Sequence, residues 1–213
     1  ATARIILLDA PPFWVLALRF LISGGLAVGI ALALGQTWRL SRAQSRSVVI
    51  FGLCQNALYL GLFFVAMQRI EASLASIIAS AMPLIVAGLG WAFRGERLPA
   101  LGVAGMIAGF GGVVLIMGSR LQGGADLWSV GLCVLGAGAL AVATLTVRGA
   151  SAGGNLLMVV GLQMLVGSAA LMVVAALAEP FVVTPTLRLA LAFGYQILVP
   201  GLAATLIWFY LVG

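Results

Sequence analysis

The sequence predicts an all-α protein that crosses a membrane several times. Of its 213 residues, 63% are hydrophobic and 8% are charged, with a mean hydropathy of +1.23. Soluble domains are roughly half apolar and a quarter charged. The apolar residues form stretches of about 20, the length that a helix needs to cross the hydrocarbon core. The net charge of +6 comes from arginines near the ends of these stretches. Arginines in these positions normally set the membrane topology of a protein and do not bind nucleic acid.

The apolar stretches divide the chain into seven predicted spans. The first ten residues are the tail of an earlier span, and Pro11-Pro12 starts the next helix, because proline suits the first helical turn. Since the sequence lacks an initial methionine and ends inside an apolar run, we expect it to be part of a longer protein. We letter the spans A to G and place them at 13–35, 48–67, 72–93, 101–118, 127–147, 155–178 and from 189 onward.

The arginines predict how the spans are oriented. Alternation puts the connections after A, C and E on one side, and they contain six arginines: Arg39, Arg42, Arg46, Arg94, Arg97 and Arg148. The other side contains four: Arg4, Arg69, Arg120 and Arg188. Because basic residues concentrate in cytoplasmic loops, we place the first side in the cytoplasm.

Span C combines an uncharged apolar stretch with a central proline and a polar stripe, which suits a helix beside a solute. It carries no charge across 72–93, yet Pro83 lies in its middle, where proline removes a backbone donor and clashes with the carbonyl one turn before. Ser76 and Ser80 lie four residues apart and form a polar stripe on one helix face. We predict that Pro83, and Pro200 in span G, either kink their helices for packing or act as gating hinges.

Glycine spacing predicts close packing between helices. Gly25 and Gly29 lie four residues apart in span A, and Gly105 and Gly109 have the same spacing in span D. Small residues at this spacing allow helix backbones to approach each other in a membrane. We therefore expect these glycines to face neighbouring helices.

Spans A and F resemble each other, and so do spans B and G. Residues 18–26 align with 162–170 at an offset of 144, and 60–65 align with 206–211 at an offset of 146. Because A and F are an odd number of spans apart, the two copies must point in opposite directions. Inverted repeats are typical of secondary transporters, which bind substrate near the midplane between the repeats.

The order of several motifs resembles the EamA type of the drug/metabolite transporter superfamily and, within it, the YddG-type amino-acid exporters. The motifs are Pro12-Phe13, Arg19, the run 63–67, Pro83, the run 95–98 and the glycine-rich run 109–116. The resemblance implies a ten-helix fold made of two inverted five-helix repeats. It also implies multi-pass insertion in the bacterial inner membrane and export of amino acids or related metabolites.

In that fold the chain divides into two parts. Residues 1–120 hold the first repeat, with the end of helix one and helices two to five. Residues 121–213 hold helices six to eight of a truncated second repeat, so about seven spans of the ten-helix fold are visible. The first helix and the last two are missing or incomplete.

Arg19 lies about six residues into span A, where burying a charge costs several kcal/mol unless it is paired or reaches outward. We expect it to reach the outer headgroups, to cap backbone carbonyls or to face a cavity. A structural role and a contact with a substrate carboxylate both stay open. The acidic residues all lie at span ends or in loops: Asp9, Glu71, Glu96, Asp126 and Glu179. This argues against a proton relay through the visible helices.

Polar and aromatic residues inside the spans are further candidates for substrate binding. Asn56 and Tyr59 share a helix face with Phe63, and they either bond to other helices or line a cavity. Rings suit an apolar side chain, and amides suit the charged ends of a zwitterion. In the second repeat the candidates are Gln163, Tyr195, Gln196, Thr205, Trp208 and Tyr210.

The sequence argues against an enzyme, and we predict no catalytic residue, cofactor or metal site. It contains no histidine, and its two cysteines have neither metal nor disulfide spacing. No span contains an acidic pair for intramembrane hydrolysis. The alternatives left open are efflux of drugs, transport of nucleobase or sugar-phosphate metabolites, and a non-transporting scaffold. The expected partners are a small-molecule substrate and the lipid bilayer, with the protein a monomer or a homodimer.

Overall fold

The structure is a computed structural model that describes residues 2–95, 98–122, 126–147, 155–203 and 207. Within these ranges every regular element is a helix and none is a strand. Six stretches are long and apolar enough to cross a membrane: Pro12–Ala33, Arg42–Ala66, Ala72–Phe93, Ala100–Gly118, Leu127–Thr146 and Leu156–Ala178. The predicted all-α membrane fold with several spans is therefore confirmed.

The described residues contain ten α-helices and two π-helical segments. The α-helices are α1 (Thr2–Ile6), α2 (Pro12–Ala33), α3 (Arg42–Phe51), α4 (Leu60–Ala66), α5 (Ala72–Ser80), α6 (Met82–Arg94), α7 (Ala100–Gln122), α8 (Leu127–Val147), α9 (Leu156–Ala178) and α10 (Leu187–Gln196). The π-helical segments are π1 (Gly52–Tyr59), which joins α3 to α4, and π2 (Ile197–Ala203), which follows α10. The shorter apolar stretch Leu187–Gly201 covers the start of predicted span G.

Local sequence signals set several helix boundaries. Pro12 is the first residue of α2 and follows an extended Pro11, a position where the missing N–H leaves nothing unsatisfied. Ser41 caps α3 by a capping box: its Oγ accepts from Gln44 N at 3.2 Å, and Gln44 Oε1 accepts from Ser41 N at 2.9 Å. Gly95 ends α6 at a φ of +66°, a left-handed conformation that glycine adopts without strain.

The predicted span C is interrupted at its middle. Helix α5 ends at Ser80 and α6 begins at Met82, with Ala81 in the turn between them. Pro83 lies in the first turn of α6, where its missing N–H removes no helical hydrogen bond. The interruption predicted from Pro83 is therefore present, and its use as a gating hinge stays a prediction.

The two π-helical segments have different local causes. Pro200 lies inside π2, where the proline ring would clash with the Gln196 carbonyl in a regular α-helix, so a wider turn relieves the clash. Segment π1 contains no proline. It begins at Gly52, whose missing side chain allows close contact with α9: a Cβ there would lie 2.6 Å from Gln163 O. The sequence predicts the interruption at Pro200 but contains no comparable signal for π1.

Helices α2 and α9 pack against each other and run in opposite directions. Near the start of α2, Trp14 Nε1 donates to Glu179 O at 3.2 Å, just after the end of α9. Beyond the end of α2, Gln36 Oε1 accepts from Met158 N at 2.9 Å, near the start of α9. Because the start of one helix meets the end of the other, the pair is antiparallel.

The centre of this crossing depends on Gly24 and Gly161. A Cβ on Gly24 would lie 2.9 Å from Gly161 O, and a Cβ on Gly161 would lie 2.7 Å from Val28 Cγ2. The prediction that Gly25 and Gly29 provide the close contact is wrong, because a Cβ on either meets nothing within 4 Å. Successive residues point about 100° apart around a helix, so Gly25 faces away while Gly24 faces α9.

Helix α7 contacts α6 through one of its two predicted glycines. A Cβ on Gly109 would lie 2.8 Å from Leu84 Cδ1 of α6, whereas a Cβ on Gly105 would meet nothing within 4 Å. The packing prediction is therefore confirmed for Gly109 and wrong for Gly105.

The connection between α1 and α2 is tied to the start of α10 through Asp9. Arg188 donates to both carboxylate oxygens of Asp9, from Nη2 at 2.7 Å and from Nε at 3.2 Å, and Thr186 Oγ1 donates at 2.8 Å. Thr184 N donates to the Asp9 backbone carbonyl at 2.8 Å. The hydrogen bonds from Arg188 and then Thr186 hold the pKa of Asp9 below its usual range.

We predict that Gly24→Ala destabilises the protein, because the added Cβ meets the Gly161 carbonyl and such overpacking costs roughly 1–3 kcal/mol. Gly25→Ala is the matched control, since its Cβ meets nothing within 4 Å and alanine favours a helix. In thermal unfolding in detergent, Gly24→Ala should lower the melting temperature and Gly25→Ala should not. Equal melting temperatures for the two variants would contradict the close crossing.

We predict that Asp9→Asn lowers the melting temperature at neutral pH, because Arg188 loses its charged partner. The pKa of Asp9 is lowered in the folded protein, so its contribution is complete above the unfolded pKa of about 3.9 and is lost as the pH falls through the folded value. The difference between wild type and Asp9→Asn should therefore be constant between about pH 7 and 5 and shrink below about pH 4. A difference that is unchanged in acid would show that the Asp9 charge does not stabilise the fold.

Candidate functional site

Two clusters of buried polar side chains lie beside the crossing of α2 and α9. The first, which we call the Arg19 cluster, joins α2 to α10 and π2 and consists of Arg19, Ser23 and Gln196. The second, the Gln163 cluster, joins α9 to α3 and π1 and consists of Ser47, Asn56 and Gln163. All six side chains belong to buried residues, and Arg19 is the most exposed of them at 8%. Polar groups at this depth must find partners inside the protein.

Three hydrogen bonds hold the residues of the Arg19 cluster, and two of them are connected through Gln196. Arg19 Nη1 donates to Gln196 Oε1 at 2.9 Å, and Gln196 Nε2 donates to Thr2 Oγ1 at 3.3 Å. One helical turn after Arg19, Ser23 Oγ donates to Ile197 O at 3.4 Å. The bond to Thr2 orients the Gln196 amide so that its oxygen faces the guanidinium.

Arg19 is a buried cation with one neutral acceptor. Its Nε is buried and has no hydrogen-bond partner, and the Phe20 ring centroid lies 5.2 Å from its Cζ. Two of the expected roles are wrong: burial keeps the guanidinium from the headgroups, and its hydrogen bond goes to the Gln196 side chain instead of a backbone carbonyl. The described carboxylates have their own partners and lie outside the spans: Asp9, Glu71, Asp126 and Glu179.

The Gln163 cluster holds π1 against α9. Asn56 Nδ2 donates to Gln163 O at 3.0 Å, and Gln163 Nε2 donates to Ser47 Oγ at 3.4 Å. The backbones approach closely because Gly52 lies opposite Gln163 O and Gly167 lies opposite the Asn56 side chain. Of the two alternatives for Asn56, the structure therefore shows the bond between helices.

Tyr59 and Phe63 form an aromatic pair beside α8. Their ring centroids lie 4.6 Å apart. The Phe63 ring packs so closely against Gly136 that a Cβ there would lie 3.1 Å from Phe63 Cδ2. Phe63 is therefore part of the packed core, while Tyr59 is only partly buried.

The remaining candidates are exposed or undescribed. Ser76 and Ser80 are exposed, and their hydroxyls donate within α5 to Ala72 O at 2.8 Å and to Ile77 O at 2.7 Å. Tyr195 is 51% exposed and precedes the buried Gln196. Trp208, Thr205 and Tyr210 lie outside the described residues.

The structure brings some predicted residues together and adds others. Asn56 contacts Gln163, and Arg19 contacts Gln196. Ser23, Ser47 and Ser168 are buried and form interhelical hydrogen bonds, and none of the three was predicted as a site residue. For Ser23 a signal existed, because it follows Arg19 by one helical turn on the same face.

Comparison with known proteins shows which family the sequence matches. Residues 1–118 match the EamA-like transporter family. The chain is 26% identical over 170 residues to the uncharacterized transporter YvbV of Bacillus subtilis, covering 77% of this chain and 53% of that protein. It is 27% identical over 168 residues to the WAT1-related protein At3g02690, chloroplastic, of Arabidopsis thaliana, covering 76% and 40%.

A further relative is named for its substrate. The aromatic amino acid exporter YddG of Ancylobacter novellus is 31% identical over 113 residues, covering 53% of this chain and 39% of that protein. A solved crystal structure superimposes with a TM-score of 0.68 at 23% identity, covering 93% of this chain and 70% of that one, which shows the fold alone. The chain spans about half or less of the length of these three relatives.

Proposed function

The chain belongs to the EamA-like transporter family, and from this we propose that the whole protein exports amino acids or related small metabolites by alternating access. In this mechanism two halves of the protein move around a site that opens to one side of the membrane at a time. We place the protein in the bacterial inner membrane. Arg39, in the connection between α2 and α3, and Arg42 and Arg46, in the first half of α3, lie on the cytoplasmic side.

The antiparallel crossing of α2 and α9 is the observation that carries this proposal. At the offset of 144, Ala17 corresponds to Gly161 and Gly24 corresponds to Ser168. Ser168 Oγ donates to Ala17 O at 2.7 Å, and Gly24 lies against Gly161. The two contacts therefore exchange under one offset, as a two-fold axis between inverted repeats would require. This supports the two repeats predicted from the sequence.

The π-helical segments support the same relation. Asn56 of π1 lies against Gly167 of α9, and Gly201 of π2 lies against Ser23 of α2, where a Cβ on Gly201 would be 2.6 Å from Ser23 Oγ. Ser23 and Gly167 correspond at the offset of 144. Asn56 and Gly201 correspond at 145, one residue from the offset that relates spans B and G. These contacts are the ones expected if each irregular segment packs on an equivalent face of the opposite proposed repeat.

Irregular helices suit a solute path. Non-helical backbone at membrane depth survives where it is buried in protein or lines a water-filled cavity, and π-helical turns are frequent at functional sites. The break at Ala81 adds a third such point in the spans. We propose that Ser76, Ser80 and Tyr195, whose side chains are exposed, line the path, while the Gln163 cluster holds helices together.

The positions of the acidic residues bear on energy coupling. Within the part of the chain that the structure describes, no carboxylate lies inside a span. A proton-coupled pump needs a group that titrates in the path. We therefore propose export down the gradient of the solute itself.

A flux measurement tests the proposed function. We predict that the full protein in liposomes releases preloaded labelled phenylalanine, a probe chosen from the name of the Ancylobacter relative. Because the described spans contain no carboxylate that could relay protons, a pH gradient should leave the rate of phenylalanine release unchanged. The control is vesicles that are loaded with the same phenylalanine but contain no protein.

Two outcomes would contradict the proposal. Release equal to that from vesicles without protein, across a panel of amino acids and related metabolites, would remove the support for transport. A rate that follows the pH gradient would overturn the proposed lack of proton coupling.

A further inference from the structure

We propose that Arg19 is the carboxylate-binding residue of the transport site and that Gln196 holds its place when no solute is bound. This inference rests on the proposed function for its location in a transport path. It narrows the substrate class to small solutes that carry a carboxylate, whether or not they also carry an amine.

The positive charge of the Arg19 guanidinium has no described countercharge beside it. The guanidinium has five N–H donors in a planar fork that matches a carboxylate, and in the described structure it donates to one neutral oxygen, Gln196 Oε1. Its Nε is buried without a partner, and the residue is only 8% exposed. A buried cation with a neutral acceptor is costly, and an anionic ligand would supply both the countercharge and the missing acceptor.

The second argument comes from the other repeat. Gln163 occupies the position that corresponds to Arg19 at the offset of 144. Gln163 is buried and bonds to Ser47 Oγ without a charge. A neutral side chain is therefore sufficient for helix packing at this position. The guanidinium in the first repeat serves a purpose beyond helix packing.

The third argument is the surroundings of the guanidinium. Arg19 lies seven residues after Pro12, about 10 Å along the helix axis, and thus inside the span. Gln196 is the last residue before π2, which contains Pro200. A movement of this irregular segment would withdraw the Gln196 oxygen and leave the guanidinium fork for a ligand.

The role of Gln196 follows from its two hydrogen bonds. Thr2 Oγ1 accepts from its Nε2, which turns its Oε1 toward Arg19. Hydrogen bonds between charged partners are stronger than those with a neutral acceptor, so a solute carboxylate would displace this amide. Gln196 is a positioning residue that keeps the guanidinium ordered in the empty site.

The test uses the full protein in detergent and three matched probes. Phenylalanine carries a carboxylate and an amine, 3-phenylpropionate carries only the carboxylate, and phenethylamine carries only the amine. We expect the first two to raise the melting temperature of the wild type, because a ligand that binds the folded state stabilises it. Phenethylamine should leave it unchanged.

Gln196→Glu is the decisive variant. It places a carboxylate where Gln196 Oε1 now contacts Arg19, so the protein without probe should melt at a higher temperature than wild type. The same change should abolish the shift caused by 3-phenylpropionate, because the site is already filled. A purely structural Arg19 gives no reason for both effects to occur together.

Three further variants keep the test informative if Gln196→Glu does not fold. Arg19→Gln should lose the shift, and Arg19→Lys should bind 3-phenylpropionate roughly tenfold or more weakly, because a compact ammonium lacks the fork. Arg69→Gln is the control, since Arg69 lies in a loop and its side chain is 69% exposed, and it should retain the shift.

The inference is overturned if no carboxylate probe stabilises the wild type, if phenethylamine acts as well as 3-phenylpropionate, or if the shift persists in Gln196→Glu or Arg19→Gln. Its failure is distinguishable from that of the proposed function. Phenylalanine flux without discrimination among the probes would refute the Arg19 site and leave transport intact. Binding of the carboxylate probes that depends on Arg19, without phenylalanine flux, would refute the proposed transport and leave the Arg19 site intact.

Discussion

The close crossing of α2 and α9 is the constraint on which the rest of the described structure depends. Gly24 and Gly161 let the two backbones touch, and in a membrane such packing of small residues replaces the hydrophobic drive that water supplies elsewhere. Each of the two helices also presents polar groups to an irregular segment, α2 to π2 and α9 to π1. Arg19 bonds to Gln196 at the end of α10, Ser23 bonds to Ile197 of π2, and the Gln163 carbonyl accepts from Asn56 of π1.

The absence of water in the bilayer core explains which polar groups occur around this crossing. The buried Ser168 hydroxyl and the buried Asn56 amide each bond to a carbonyl of a neighbouring helix, as a medium without water requires. Ser76 and Ser80 satisfy their hydroxyls within their own helix and so can stay exposed. Arg19 is the exception, because its charge exceeds what its neutral partner can offset. That imbalance is the reason for proposing that Arg19 binds the carboxylate of a solute.

Composition and span length suffice to predict the all-α membrane fold, because a helix must be long and apolar to cross a bilayer. The break near Pro83 and the irregular turn at Pro200 follow from one residue each. Which glycines meet another helix does not follow, because Gly24 and Gly25 differ only in direction and the neighbour decides. The partner of Arg19 could not be predicted either, since Gln196 lies 177 residues away along the chain.

Cross-linking in the membrane tests the antiparallel crossing most directly. With Cys54 and Cys133 replaced by alanine, we predict that cysteines at Thr37 and Asn155 form a disulfide, because Thr37 N and Asn155 Oδ1 lie 3.1 Å apart. Cysteines at Thr37 and Glu179 should stay unlinked, since Glu179 contacts the opposite end of α2. A disulfide between cysteines at Thr37 and Glu179, with none between cysteines at Thr37 and Asn155, would mean that α2 and α9 are parallel and would contradict the antiparallel crossing.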